Sequence, residues 1–244
     1  MTDDGPLRTA RRALSEVLII VAGVLIALAV DGWSTHRAEE RTERTYLGSL
    51  LQDVELDLAQ IDSANAVIRR RQDRARAALE AVRSELPVVD TLRFVEDLNA
   101  AALLWTYEPQ ASTFEDLKST GNLQLVRNVE LRRALAEYYN VPWLDFDAWV
   151  QEVFWTRYRP ALYSHVDASD IADQFYAPRA PSAEPDLQHD SAIPDIDIAG
   201  LRRDEDVRRS LEMIILTMSQ QLLLLADQRD KGVILQETLE SSLR

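Results

Sequence analysis

The sequence predicts an all-α protein: a single N-terminal transmembrane helix followed by an extramembrane helical bundle with two long helices. Three observations carry that reading. Seven glycines and nine prolines in 244 residues are too few for a turn-rich β fold. Two stretches of roughly 40 residues repeat apolar side chains at helical spacing. Ahead of both lies an uncharged run, Val17 to Val30.

At 1.5 Å per residue, Val17–Val30 extends roughly 21 Å, short of a hydrocarbon core of about 30 Å. From Ala13 to Trp33 the helix reaches roughly 31 Å and spans. Glu16 and Asp31 then lie near the ends, where carboxylates reach headgroups or water. Trp33 sits where an interfacial tryptophan anchors a span. Glu16 reads equally as a functional intramembrane acid or as a snorkelling or capping group. Arg8, Arg11 and Arg12 followed by Ala27-Leu28-Ala29 also fit a cleaved signal peptide. An uncleaved span is preferred because Glu16 is out of place there and the helical pattern continues past Trp33. Gly23 and Ala27 form a small-x-x-x-small pair that permits close helix–helix contact. Three arginines lie on each side of the span. Those before it are nearer the apolar run, and Arg37, Arg41 and Arg44 are mixed with Glu39, Glu40 and Glu43. That asymmetry favours a cytoplasmic N-terminus and a periplasmic C-terminal domain. The expected division is a tail at 1–12, a span at 13–33 and a bundle domain at 34–244.

Two patches carry a resemblance. Leu14–Asp57 reads LSEVLIIVAGVLIALAVDGW, a charged stretch, then YLGSLLQDVELDL; Thr113–Asn140 reads TFEDLKSTGNLQLVRNVELRRALAEYYN. Both resemble a family of uncharacterised bacterial single-pass membrane proteins, whose span begins at a glutamate and ends in a polar pair before tryptophan. Asp31 and Gly32 stand where that family usually shows asparagines. The resemblance implies a bacterial inner-membrane protein with a helical extramembrane domain, and carries over no catalytic residue.

Beyond the span, Leu47, Leu51, Val54, Leu58, Ile61, Asn65, Ile68, Gln72, Ala75, Leu79, Val82 and Leu86 alternate in steps of four and three. That 3.5-residue period predicts a long helix with a coiled-coil or bundle seam. Asn65 and Gln72 are its polar positions: they either fix register or face a wet or polar partner. The arginines at 69, 70, 71, 74 and 76 read as a salt-bridged stripe. Pro87 ends this helix. A second helix is expected over Thr91–Trp105 with Thr91 as N-cap, and Ser112 with Glu115 reads as a capping box. Gly121 supplies a left-handed C-cap, and Asn128 caps a helix reaching about Tyr139. Nine of the 17 aromatics fall between Tyr138 and Tyr163. They read as core, as a ligand pocket around Trp143, Trp149 and Trp155, or as a membrane-surface patch. Pro160 is expected to kink or end a helix there. Residues 166–200 form an acidic, proline-containing loop with eight acids against one base, net −7 of the chain's −14. The last helix runs from an Asp204 N-cap to Leu243 and packs antiparallel to the first long helix.

The acidity excludes a basic nucleic-acid-binding face. The absence of cysteine removes disulfides and thiolate chemistry. Ser164-His165-Val166-Asp167 lacks a nucleophile elbow, and His165 reads as a solvated helix-end residue. No catalytic constellation, metal site or cofactor is expected. The expectation is a non-enzymatic membrane-anchored interaction or scaffold protein. Its partners are membrane lipid and a second copy or a partner membrane protein, with no nucleic acid. A ligand-sensing bundle that signals through a partner is the alternative, and a membrane-tethered hydrolase comes after it.

Overall fold

The computed structural model describes residues 5–101, 107–140, 149–167 and 195–244, with side chains from Val21 onward. The described residues are helical apart from turns, connecting segments and one isolated antiparallel bridge, Val166 to Ile196. Helix α1, Gly5–Arg83, runs unbroken for 79 residues, a rod of about 118 Å. The stretch expected to span and the long seam helix are therefore one element. Every side chain from Val21 to Thr42 is exposed, and burial begins at Leu47. Among residues with described side chains, no helix is long and apolar enough to cross a membrane. The expected span, 13–33, begins ahead of them.

Helix α2 covers Thr91–Ala101, α3 Ser112–Ser119 and α4 Val129–Tyr139, with a 3₁₀ turn at Asn122–Leu125. Helix α5 covers 149–163, α6 Ile198–Arg203 and α7 Glu205–Leu243. Helices α1 and α7 lie antiparallel. The ladder that fixes this runs Arg83–Glu212 at 2.5 Å, Gln72–Ser219 at 2.6 Å and Asp62–Arg229 at 2.7 Å.

The buried face of α1 is Leu47, Leu50, Val54, Asp57, Ile61, Ala64, Ile68, Gln72, Ala75, Ala78, Leu79 and Val82. Leu51, Leu58 and Asn65, expected on the seam, sit one position beside it and are half-buried. Apart from the adjacent Ala78 and Leu79, both choices proceed in steps of three and four residues. Packing against several elements selected the one that includes a carboxylate with polar partners. Leu86 lies beyond the end of α1 and is 74 % exposed. The helix stops at Arg83, ahead of the residue that Pro87 bars from helical geometry. Arg202 closes this end by donating to the carbonyls of Ala81 and Leu86.

The caps divide by mechanism. Asn128 Oδ1 accepts from Leu131 N at 3.1 Å, and Asp204 accepts from the amides of Asp206 and Val207. Gly121 takes φ 73°, the left-handed turn after α3. Helix α2 is capped by Asp90, which accepts from Arg93 N, rather than by Thr91. The Ser112–Glu115 box does not form: Ser112 is the first residue of α3, Glu115 N donates to Ala111 O, and the Glu115 side chain pairs with Lys118. Carboxylates from α1 serve the start of α3 instead, Asp57 taking Gln110 N and Asp53 taking Thr113 N. The Asn128→Ala variant should cost about 1 kcal/mol through the lost α4 cap. An unchanged urea midpoint would refute that.

The break expected at Pro160 takes the form of a π-helical turn, Val153–Tyr158, after which the helix continues to Tyr163. The wider turn accommodates the missing proline N–H. The aromatics there divide. Phe154 and Tyr158 are buried, Tyr158 donating to Leu98 O at 2.6 Å, whereas Trp155 is exposed. The described ends of the acidic loop are pinned together by the Val166–Ile196 bridge and by Asp197 N donating to His165 O.

The core falls into two apolar clusters. One gathers Leu47, Leu50, Val54, Leu131, Leu135 and Leu239. The other gathers Ile61, Phe94, Leu98, Phe154, Leu211 and Ile214.

Candidate functional site

Between these clusters lies a buried polar layer. Asp57 of α1 is fully buried. Its Oδ1 accepts from Gln110 N at 2.7 Å, and its Oδ2 accepts from the Tyr138 hydroxyl at 3.2 Å. The Tyr107 hydroxyl lies 3.5 Å from that of Tyr138. Gln228 of α7, also buried, donates to Tyr138 O at 3.0 Å. One turn on, a Cβ at Gly232 would meet Leu58 Cδ2 at 2.9 Å and the Tyr138 ring at 3.1 Å, so the tyrosine lies against bare backbone. Burial pushes the Asp57 carboxyl up to about 6, against the hydrogen bonds from Gln110 and Tyr138, with Asp53 adding repulsion. Burial likewise pushes both tyrosines up, so they remain neutral donors. The layer can hold a proton near neutral pH.

A second polar cluster joins α1 to α2. Arg74 Nε donates to Asp97 at 2.9 Å and its Nη2 to Glu96 at 2.9 Å. Arg93 adds a contact to Asp97 at 3.3 Å. Both carboxylates are buried. Burial raises Glu96 above the usual carboxylate range despite its arginines. Arg74, one of the expected arginine stripe, is thus an internal clamp. Arg76 pairs on the surface with Asp73.

The other expected residues lie as follows. Gln72 is buried and donates to Ile215 O at 3.0 Å and to Ser219 Oγ at 2.6 Å, so its seam partner is α7 of the same chain. Asn65 is half-buried beside Ala64. Glu16 belongs to α1, with its side chain outside the described residues. Gly23 and Ala27 are exposed, with nothing within 4 Å of a Cβ built at Gly23. Trp33 is exposed, with the Arg37 guanidinium 4.5 Å from its ring centroid. Trp143 lies outside the described residues. Trp149 lines a cleft of about 790 Å³ between α5 and α7, together with Arg157, Arg209 and Met213. Trp155 lies away from that cleft, under the Arg159 guanidinium at 3.9 Å. His165 is not a solvated end residue. Its Nε2 lies 2.8 Å from Asp204, joining the α5 end to the α7 cap. Ser164 Oγ donates to Ala161 O.

Sequence reasoning did not single out Asp57, Tyr107, Glu96, Asp97 or Gln228. The available signal was Asp57 itself, an acid three residues after Val54 on an inward step.

No curated protein and no solved structure matches the chain. A family model does, over residues 16–146, described as a Family of unknown function (DUF6090). The match extends from within α1 to beyond α4. It takes in Asp57, Tyr107 and Tyr138 of the polar layer and all of the Arg74 cluster. Covering more than half of the sequence, it shows that the chain belongs to the Family of unknown function (DUF6090).

Proposed function

We propose that this is a non-enzymatic, membrane-anchored interaction protein. In this reading α1 is held in a bacterial inner membrane, with the N-terminus cytoplasmic and the bundle periplasmic, and the chain self-associates through the span. One observation carries the proposal: the described stretch of α1 from Val21 to Val30 is apolar and exposed. Leu25, Ile26, Leu28 and Val30 are about 60 % exposed, and among the described residues none covers them. A helix that is apolar all round is covered by lipid or by protein. Read back through Ala13, the same helix has the length of a bilayer core. Gly23, open on its outer side, supplies a surface on which a second span packs closely. Because α1 passes unbroken into the bundle, the orientation of the span sets that of the bundle.

Alkaline carbonate should leave the full-length chain in the membrane fraction, and a phosphatase fused after Arg244 should be active. Release by carbonate overturns the anchor; a stable, inactive fusion overturns the orientation. Gly23→Leu should lower the oligomer mass in detergent, read by light scattering, without shifting the melting of the bundle. A wild-type chain that is strictly monomeric overturns self-association. The cleft beside Trp149 supports a second reading, in which a ligand there shifts α7 against α1 and a partner reads the change through the span.

A further inference from the structure

We propose that the cleft where α1 enters the bundle binds the phosphate of an anionic phospholipid headgroup, an inference that rests on the span proposed above. The cleft, about 640 Å³, lies between α1, the start of α4 and the end of α7. Arg37, Arg41 and Arg44 line it, spaced four and three residues apart and therefore on one face of α1. Its carboxylates, Glu40 and Glu43, are both engaged by Arg127. Arg127 Nη1 lies 3.3 Å from Glu40, its Nε 3.5 Å from Glu43, and its backbone N donates to Glu43 at 2.8 Å. His36 also lies 3.3 Å from Glu40. Arg41 and Arg44 have no ion-pair partner among the described residues, and Arg37 has only the Trp33 ring. Four arginines thus face two carboxylates that are already engaged, on a chain of net charge −14. Unpaired like charges gathered in a cleft concentrate an external anion.

Position selects the anion. Trp33 marks the interface in the proposed span. Arg37 lies about 6 Å beyond it and Arg41 about 12 Å along the helix axis. The headgroup layer on each face is about 5–8 Å thick, and long arginine side chains reach back toward it. Arg44, about 16 Å out, acts only through its field. The expected ranking is Arg37 and Arg41 ahead of Arg44.

The test uses the full-length chain in a non-ionic detergent, equilibrated with equimolar phosphatidylglycerol and phosphatidylcholine. Bound lipids are counted by native mass spectrometry, and the same variants are assayed by carbonate extraction. Wild type should prefer phosphatidylglycerol. Each of Arg37→Gln and Arg41→Gln should weaken that preference about fivefold, and Arg44→Gln less. All should stay in the membrane fraction. Equal binding of both lipids by a membrane-retained wild type overturns the lipid site and leaves the span standing, as does an unchanged preference in R37Q/R41Q. An equal loss in the distant R208Q/R209Q overturns it in favour of general charge. Displacement of phosphatidylglycerol by millimolar inorganic phosphate overturns the lipid assignment in favour of a free anion. Release of wild type by carbonate overturns the span, and this site with it.

Discussion

Between about pH 4 and pH 6 the bundle is expected to lose roughly 3 kcal/mol of stability through Asp57, and Asp57→Asn to remove that loss. The carboxyl titrates from an ordinary 3.8 in the unfolded chain to about 6 in the folded one. Its folded value is raised, so the contribution is fully present below about 3.8 and is lost as pH rises through about 6. The cause is burial of a charge with no cation beside it among the described residues. Gln110 N and the Tyr138 hydroxyl offset the cost in part, and Asp53 adds to it. Asparagine keeps an oxygen for the Gln110 amide and carries no charge to desolvate. Urea unfolding of wild type and variant at pH 4 and pH 7.5 checks this. A gap of about 3 kcal/mol in the variant's favour should open at the higher pH. Taking the difference cancels the other titrating groups, among them Glu96. A wild-type-minus-variant difference that stays constant with pH would sink the assignment.

Arg74→Met is expected to destabilise the fold by about 3–5 kcal/mol at pH 7, because it strands two buried carboxylates. Arg74 reaches Glu96 and Asp97 with separate nitrogens, and its own side chain is only 18 % exposed. Without it, only the largely exposed Arg93 faces Asp97. Glu96, already raised by burial, would rise further. The variant should therefore recover part of its loss on acidification toward pH 4, as the Glu96 carboxyl takes up a proton. Thermal melts of both chains at pH 7 and pH 4 provide the measurement. A loss below about 1 kcal/mol at pH 7 would show that the pair contributes little to stability.

These two sites mark where sequence reasoning stops. The Asn128 and Asp204 caps were legible because each carboxamide or carboxylate serves amides two or three residues away. Gly121 was legible because a left-handed residue after a short helix is a local steric requirement. Long-helix periodicity was legible for the same reason, since it depends only on 3.6 residues per turn.

Asp57 was not legible. A carboxylate reads as surface unless partners are supplied, and its partners come from residues 53 and 81 positions away. Those partners also explain the failed capping box: Asp53 and Asp57 reached the start of α3 from another helix, and Ser112 was drawn into its first turn. Leu50 or Leu51, Leu58 or Asp57, and Ala64 or Asn65 are neighbours on one helix surface. Only the positions of the helices packed against α1 decide which of each pair is enclosed. The sequence by itself determined the two long helices, the Asn128 and Asp204 caps and the apolar run at 17–30, because those follow from composition and backbone geometry within a few residues. The tertiary structure alone decided which polar groups the core encloses, because their burial cost is offset only by partners far away in the chain.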